Sequence, residues 1–172
     1  MFKSCEELQA KIDQYTKELE SKFNGRDGKR YVMLCGGTGC IAANSMGIKE
    51  KFEACIRSEG LEDKCEVRVV GCFGMCSQGP FVRIFPEDTL YCLVSEDDIE
   101  EIVERDLKAG TVVTRLLYED PATHERVSKM EDICFYRKQK RIALHGCGII
   151  DPDRIEEALG CGGYRGLIKA LS

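Results

Sequence analysis

Apolar residues recur at helical spacing at Leu8, Ile12, Tyr15, Leu19 and Phe23, so the chain opens with an amphipathic helix. Ser4 and Glu7 form a capping-box pattern at its start, and the Asn24-Gly25 and Asp27-Gly28 pairs end it. Residues 31–34 make a short apolar run that predicts a buried strand. Ile48, Phe52, Cys55 and Ile56 predict a helix over residues 41–59, stopped by Gly60. Residues 65–70, CEVRVV, alternate weakly and predict a second strand. Residues 81–85 and 90–94 flank Pro86-Glu87-Asp88-Thr89 and predict a β-hairpin. Ser95 then caps a helix with Asp98 at its third position and Ile99, Ile102, Val103 and Leu107 turned inward. The order α-β-α-β-β-β-α places the chain in the α/β class.

The pattern weakens after Gly110. Residues 118–132 are polar and unpatterned, and predict a linker. Residues 141–144 predict a strand. Asp151 is expected to cap a short helix with Pro152 at its first position, where proline is tolerated. Gly162-Gly163-Tyr164 opens a last helical stretch ending at Leu171. A tail with so few elements buries little on its own. It is therefore expected to be loosely held or to pack on a neighbouring molecule, which allows a homo-oligomer.

Two glycine-rich turns carry paired cysteines. Residues 35–40 read CGGTGC and residues 71–76 read GCFGMC, giving C-x4-C and C-x3-C separated by 31 residues. Each turn follows a predicted strand, so parallel, adjacent strands would bring both turns to one end of a sheet. The quartet is Cys35, Cys40, Cys72 and Cys76. A thioredoxin-type couple needs C-x-x-C and is absent. Structural zinc accepts four thiolates, but its turns are usually more tightly spaced. A two-iron cluster also takes four thiolates and is wide enough to take one pair from each turn. Gly36, Gly37, Gly39, Gly71 and Gly74 let the backbone wrap closely and aim N–H groups at sulfur, while Phe73 and Met75 can exclude water. These residues favour a cluster over zinc.

Composition narrows the setting. The chain has 172 residues, 43% hydrophobic and 32% charged, as in ordinary globular proteins. A chain of this length buries roughly 70% of its unfolded surface and needs no disulfide staples. Its formal charge of −5, with no Lys/Arg stripe, argues against nucleic acid. No stretch approaches a membrane span, so no membrane insertion is expected. Eleven cysteines, an odd count, with no signal-peptide pattern at the N-terminus, point to a reducing and so cytoplasmic compartment.

The paired-cysteine pattern, the element order and the run GCFGMCSQGP with its following hairpin resemble the thioredoxin-like [2Fe-2S] ferredoxin family over residues 1–117. The resemblance implies a thioredoxin-like mixed sheet flanked by helices, with Cys35, Cys40, Cys72 and Cys76 as ligands of one [2Fe-2S] cluster. Gln78-Gly79-Pro80 departs from that family, where alanine is frequent before the proline. Residues 133–172 resemble something else. The run RKQKRI, then CGIIDPD and GGYRGLIKAL, is similar to the start of the NADH- and FMN-binding flavoprotein subunit of complex I and of electron-bifurcating hydrogenases. That likeness implies three parts: the ferredoxin domain at 1–117, a linker at 118–132, and a small, mostly helical flavoprotein start at 133–172. It implies a relay of single electrons to or from a flavin in an NADH-dependent oxidoreductase, with the flavoprotein domain and other iron–sulfur subunits as partners. FMN, NADH and a [4Fe-4S] cluster are expected downstream or in partner subunits. No nucleophile–base pair and no phosphate loop appear, so this stretch reads as a relay rather than a catalyst.

The remaining candidates read as structural. Cys55 and Cys92 fall on apolar faces, as small buried hydrophobes do. Cys5, Cys65, Cys134, Cys147 and Cys161 lack partner spacing. His124 lies in the predicted linker and His145 near Cys147, and two residues do not make a metal site. The acidic run from Glu96 to Glu101 suits a helix start.

Overall fold

The computed structural model describes residues 4–172; residues 1–3, the start of the predicted ferredoxin-like part, lie outside it. The first helix, α1 (Cys5–Phe23), begins where the Ser4 hydroxyl accepts from the Glu7 N–H, 3.2 Å away. Four strands follow, β1 (Arg30–Cys35), β2 (Cys65–Val70), β3 (Val82–Phe85) and β4 (Thr89–Tyr91), in the order β2-β1-β3-β4. β1 and β2 run parallel and in register from Arg30↔Cys65 to Cys35↔Val70. β3 pairs antiparallel with β1 and with β4. The class is therefore α/β with a mixed sheet, as the pattern predicts. Among the described residues no helix is long and apolar enough to cross a membrane.

Alternation along β1 divides the core. Val32 and Leu34 face one side, with Ile48, Phe52, Ile84, Ile99 and Ile102. Tyr31, Met33 and Cys35 face the other, with Phe73, Phe81 and Leu90. The crossover between β1 and β2 is one predicted helix, but the structure breaks it into α2 (Thr38–Ala42) and α3 (Ser45–Ser58). Asn44 sits at φ 65° between them, a conformation asparagine tolerates better than most side chains. The last predicted strand, 90–94, stops early. Beyond Tyr91 the amides of Leu93 and Val94 donate to the Gln78 and Pro80 carbonyls, so the chain leaves the sheet to brace the second cysteine turn. The Ser95–Asp98 capping box is present, and it leads into α4 (Ile99–Ile102) and a wider helical turn over Val103–Lys108. There the buried Asp106 accepts from Arg30 and, at 2.5 Å, from the Tyr91 hydroxyl.

The C-terminal third differs most from expectation. Residues 118–132, predicted as a linker, form a small ladder between β5 (Tyr118–Glu119) and β6 (Arg126–Val127). Behind it Met130, Ile133 and Tyr136, the last on α5 (Cys134–Arg137), cover the second face of the sheet. Residues 141–144 form turns rather than a strand, with Ile142 and Leu144 exposed. The helix expected at Pro152 begins three residues later as α6 (Ile155–Gly160), and α7 (Arg165–Leu171) closes the chain.

The tail is not loose. Leu159 packs against Leu8 and Ile12 of α1, and a Cβ added at Gly160 would lie 2.8 Å from the Tyr15 carbonyl oxygen. Only glycine allows so close an approach. Glu157, 5% exposed, forms an ion pair with the buried Arg68 of β2, accepts from Lys22 at 3.2 Å and from the Asp151 N–H at 2.8 Å. The apolar face of α1 is thus shared, Leu8 and Ile12 meeting α6 and Phe23 meeting Phe85 of the sheet.

Glu157→Ala is expected to leave the buried Arg68 paired only with the more exposed Glu66, at a cost below the roughly 3–5 kcal/mol of a buried pair broken outright. Limited proteolysis should then cut residues 134–172 well before the rest of the chain. Unchanged cutting and an unchanged thermal midpoint would show that apolar contact between α1 and α6 holds the tail unaided.

Candidate metal centre

The register of β1 with β2 ends both strands together, since Cys35 lies opposite Val70. The turn after β1 is tied to β2 by the Gly36 N–H, which donates to the Val70 carbonyl at 2.8 Å. Cys35 is the last residue of β1, and Cys40 is carried back on α2 as a buried side chain. Cys72 and Cys76 follow β2 on the second turn, Cys72 half-buried and Cys76 exposed. All four predicted residues come together at one end of the sheet.

Glycines make the approach possible. A Cβ at Gly37 would lie 2.9 Å from the Cys72 sulfur and 3.5 Å from that of Cys35, and one at Gly79 would lie 2.6 Å from the Cys40 sulfur. The Gly37 N–H also points at the Cys35 Sγ, 3.5 Å away. The Cys72 and Cys76 sulfurs are 3.9 Å apart.

Two of the four thiols resist ionisation. Burial, then the neighbouring Cys35 thiol, pushes Cys40 up to about 12, although the Phe81 amide pulls the other way. The adjoining Cys72 raises Cys76. Gathered thiols of this kind give up their protons to a metal, whose charge replaces them. Among the described residues no three His, Cys, Asp or Glu side chains close around the position of one ion. Cys72 and Cys76 form one couple at the second turn, Cys40 and Cys35 meet at the first, and a two-iron cluster takes four thiolates in two such pairs. An all-sulfur donor set in a glycine-lined cradle fits a [2Fe-2S] cluster.

The surroundings are apolar on one side. Phe73 is fully buried and its ring centroid lies 5.5 Å from that of Phe81. The tail reaches the same turn. The Gly148 N–H donates to the Gly71 carbonyl at 3.0 Å, and a Cβ at Gly71 would lie 3.5 Å from the Cys147 sulfur. Neither Cys147 nor Tyr136 stands out in the sequence, because each reaches the centre only through the fold of the tail. Cys92 is buried, and burial pushes its thiol up to about 12, as expected of a packed hydrophobe. Cys55 is half-buried on α3. His124 is exposed beside Glu119 at 3.0 Å, and both ring nitrogens of His145 lie within 3.2 Å of the Ile142 and Cys161 carbonyls. Neither histidine joins the cysteine quartet.

The family model described as thioredoxin-like [2Fe-2S] ferredoxin matches residues 20–106. The chain is 46% identical over 77 residues to a protein named "Ferredoxin, 2Fe-2S" from Clostridium pasteurianum, covering 45% of this chain and 76% of that one. It is 33% identical over 75 residues to a protein of the same name from Aquifex aeolicus, covering 41% and 68%. The crystal structure of the wild-type thioredoxin-like [2Fe-2S] ferredoxin from Aquifex aeolicus aligns at 28% identity and a TM-score of 0.49, over 54% of this chain and 98% of that one. The matched stretch holds both cysteine turns, and the chain belongs to the thioredoxin-like [2Fe-2S] ferredoxin family.

Proposed function

We propose that this electron carrier relays single electrons to or from the flavin site of an NADH-dependent oxidoreductase complex of the bifurcating-hydrogenase type, in a reducing, cytoplasmic setting. Cys35, Cys40, Cys72 and Cys76 hold its [2Fe-2S] cluster. The observation that carries the ligand assignment is the meeting of four thiols from two turns at one sheet end. When bound, the cluster supplies reversible storage of one electron. The chain's own residues position it, exclude water through Phe73 and Phe81, and aim the Gly37 N–H at the Cys35 sulfur.

Two features support the link to a flavoprotein. The tail, whose sequence is similar to a flavoprotein start, bonds directly to Gly71 beside Cys72. It also exposes Ile142, Leu144, Tyr164 and Leu171, an apolar surface that further flavoprotein structure or partner subunits would cover. In this reading FMN, NADH and a [4Fe-4S] cluster belong to those neighbours.

Anaerobically purified protein is expected to be brown, to hold iron and sulfide in equal amounts, and to bleach on uptake of one electron from dithionite. It should not oxidise NADH with an artificial dye. Colourless protein with one bound zinc would sink the cluster reading, and steady NADH–dye turnover with bound flavin would sink the relay reading. Cys→Ser at position 35, 40, 72 or 76 should remove the cluster or alter its spectrum. The same change at Cys55 or Cys92 should leave the spectrum intact at a packing cost of roughly 1–3 kcal/mol.

Gly79→Ala tests the cradle itself, because its new methyl would meet the Cys40 sulfur. Overpacking of this sort costs about 1–3 kcal/mol. Iron and sulfide content should fall while the circular dichroism of the fold persists. Full cluster content in this variant would mean that Cys40 does not need its present position.

A further inference from the structure

Tyr136 enters the second face of the sheet on α5, behind Met130 and Ile133. It is 7% exposed and shares its apolar cluster with Cys35, Cys40, Cys72 and Phe73. The Phe135 ring meets it edge-on at 5.1 Å, and the Arg141 guanidinium stands 5.6 Å from its ring centroid. Its hydroxyl is buried and, among the described residues, finds no hydrogen-bond partner. Buried hydroxyls are almost always satisfied, so an orphan beside a group-binding site points to the group. Burial holds the phenol in its neutral form against the pull of Arg141, and the thiols of Cys92, Cys35 and Cys72 add to that effect. The phenol's neighbours are thus the Arg141 guanidinium over its ring and an apolar cluster that includes the thiols of Cys35, Cys72 and Cys92.

We propose that the Tyr136 hydroxyl donates a hydrogen bond to a sulfur of the cluster centre and thereby raises its reduction potential. This rests on the ligand assignment above. Reduction adds one electron to the centre, and the phenol proton stays on its own oxygen. A donor to sulfur gains strength as the sulfur gains negative charge, so it stabilises the reduced form more than the oxidised form. Tyr136 is a positioning and tuning residue in this role. It is supplied from beyond residue 117, so the tail contributes to the electronic environment of a cluster whose ligands all lie before it.

Tyr136→Phe in the full chain keeps the ring and removes the donor. Iron and sulfide content should match the wild type, while the reduced-to-oxidised ratio at a fixed ambient potential falls about tenfold, equivalent to about 59 mV for a one-electron couple. The iron–sulfur stretching bands should also lose part of their shift in heavy water. A full cluster with unchanged potential and unchanged heavy-water shift overturns the proposal and leaves the ligand assignment standing. Wild-type protein without iron and sulfide overturns both. If Tyr136→Phe fails to hold a cluster, 3-fluorotyrosine placed at position 136 decides: a stronger donor of the same shape should raise the potential, and an unmoved potential overturns the proposal.

Discussion

The parallel pairing of β1 with β2 is the constraint on which the rest depends. A parallel pair cannot be joined by a tight turn, so the chain must cross over the sheet and return to the same end. Here the crossover is α2 and α3, and the common end is where Cys35 and Val70 finish their strands. Both cysteine turns are thereby delivered to one place by backbone hydrogen bonds, before any metal contributes. The antiparallel β3 and β4 fill the other side of β1, and the chain beyond Tyr91 bonds back to Gln78 and Pro80 to steady the second turn.

The two halves of the site are unequal in burial. Cys35 and Cys40 are enclosed by the sheet and by Phe81, whereas Cys76 is exposed on the turn after Phe73. A cluster held this way has one couple of ligands in an apolar setting and the other near solvent.

The periodicity of β1, β2 and the crossover, the Ser95 cap and the spacing of the four cysteines were legible in the sequence, because each is a local signal reinforced by the period of its element. What escaped were features decided across the fold. The break at Asn44 depends on α2 having to carry Cys40 inward, and nothing local marks it. Met130, Ile133 and Tyr136 are too few and too widely set among polar residues to read as an element, yet they cover one face of the sheet. Leu8 and Ile12 read as the apolar face of a helix, but their cover by Leu159 did not, since periodicity says which face is buried and not what covers it.

That cover has a bearing on how the protein could be divided. With residues 130–136 removed, Tyr31, Met33, Phe85 and Leu90 would lose the side chains that keep water from the second sheet face. A shortened chain ending near residue 117 would therefore present an apolar surface beside its cysteine turns, and such a surface favours self-association. The segment that reads as a spacer in the sequence, together with α5 after it, acts as an inner wall for the second face of the sheet.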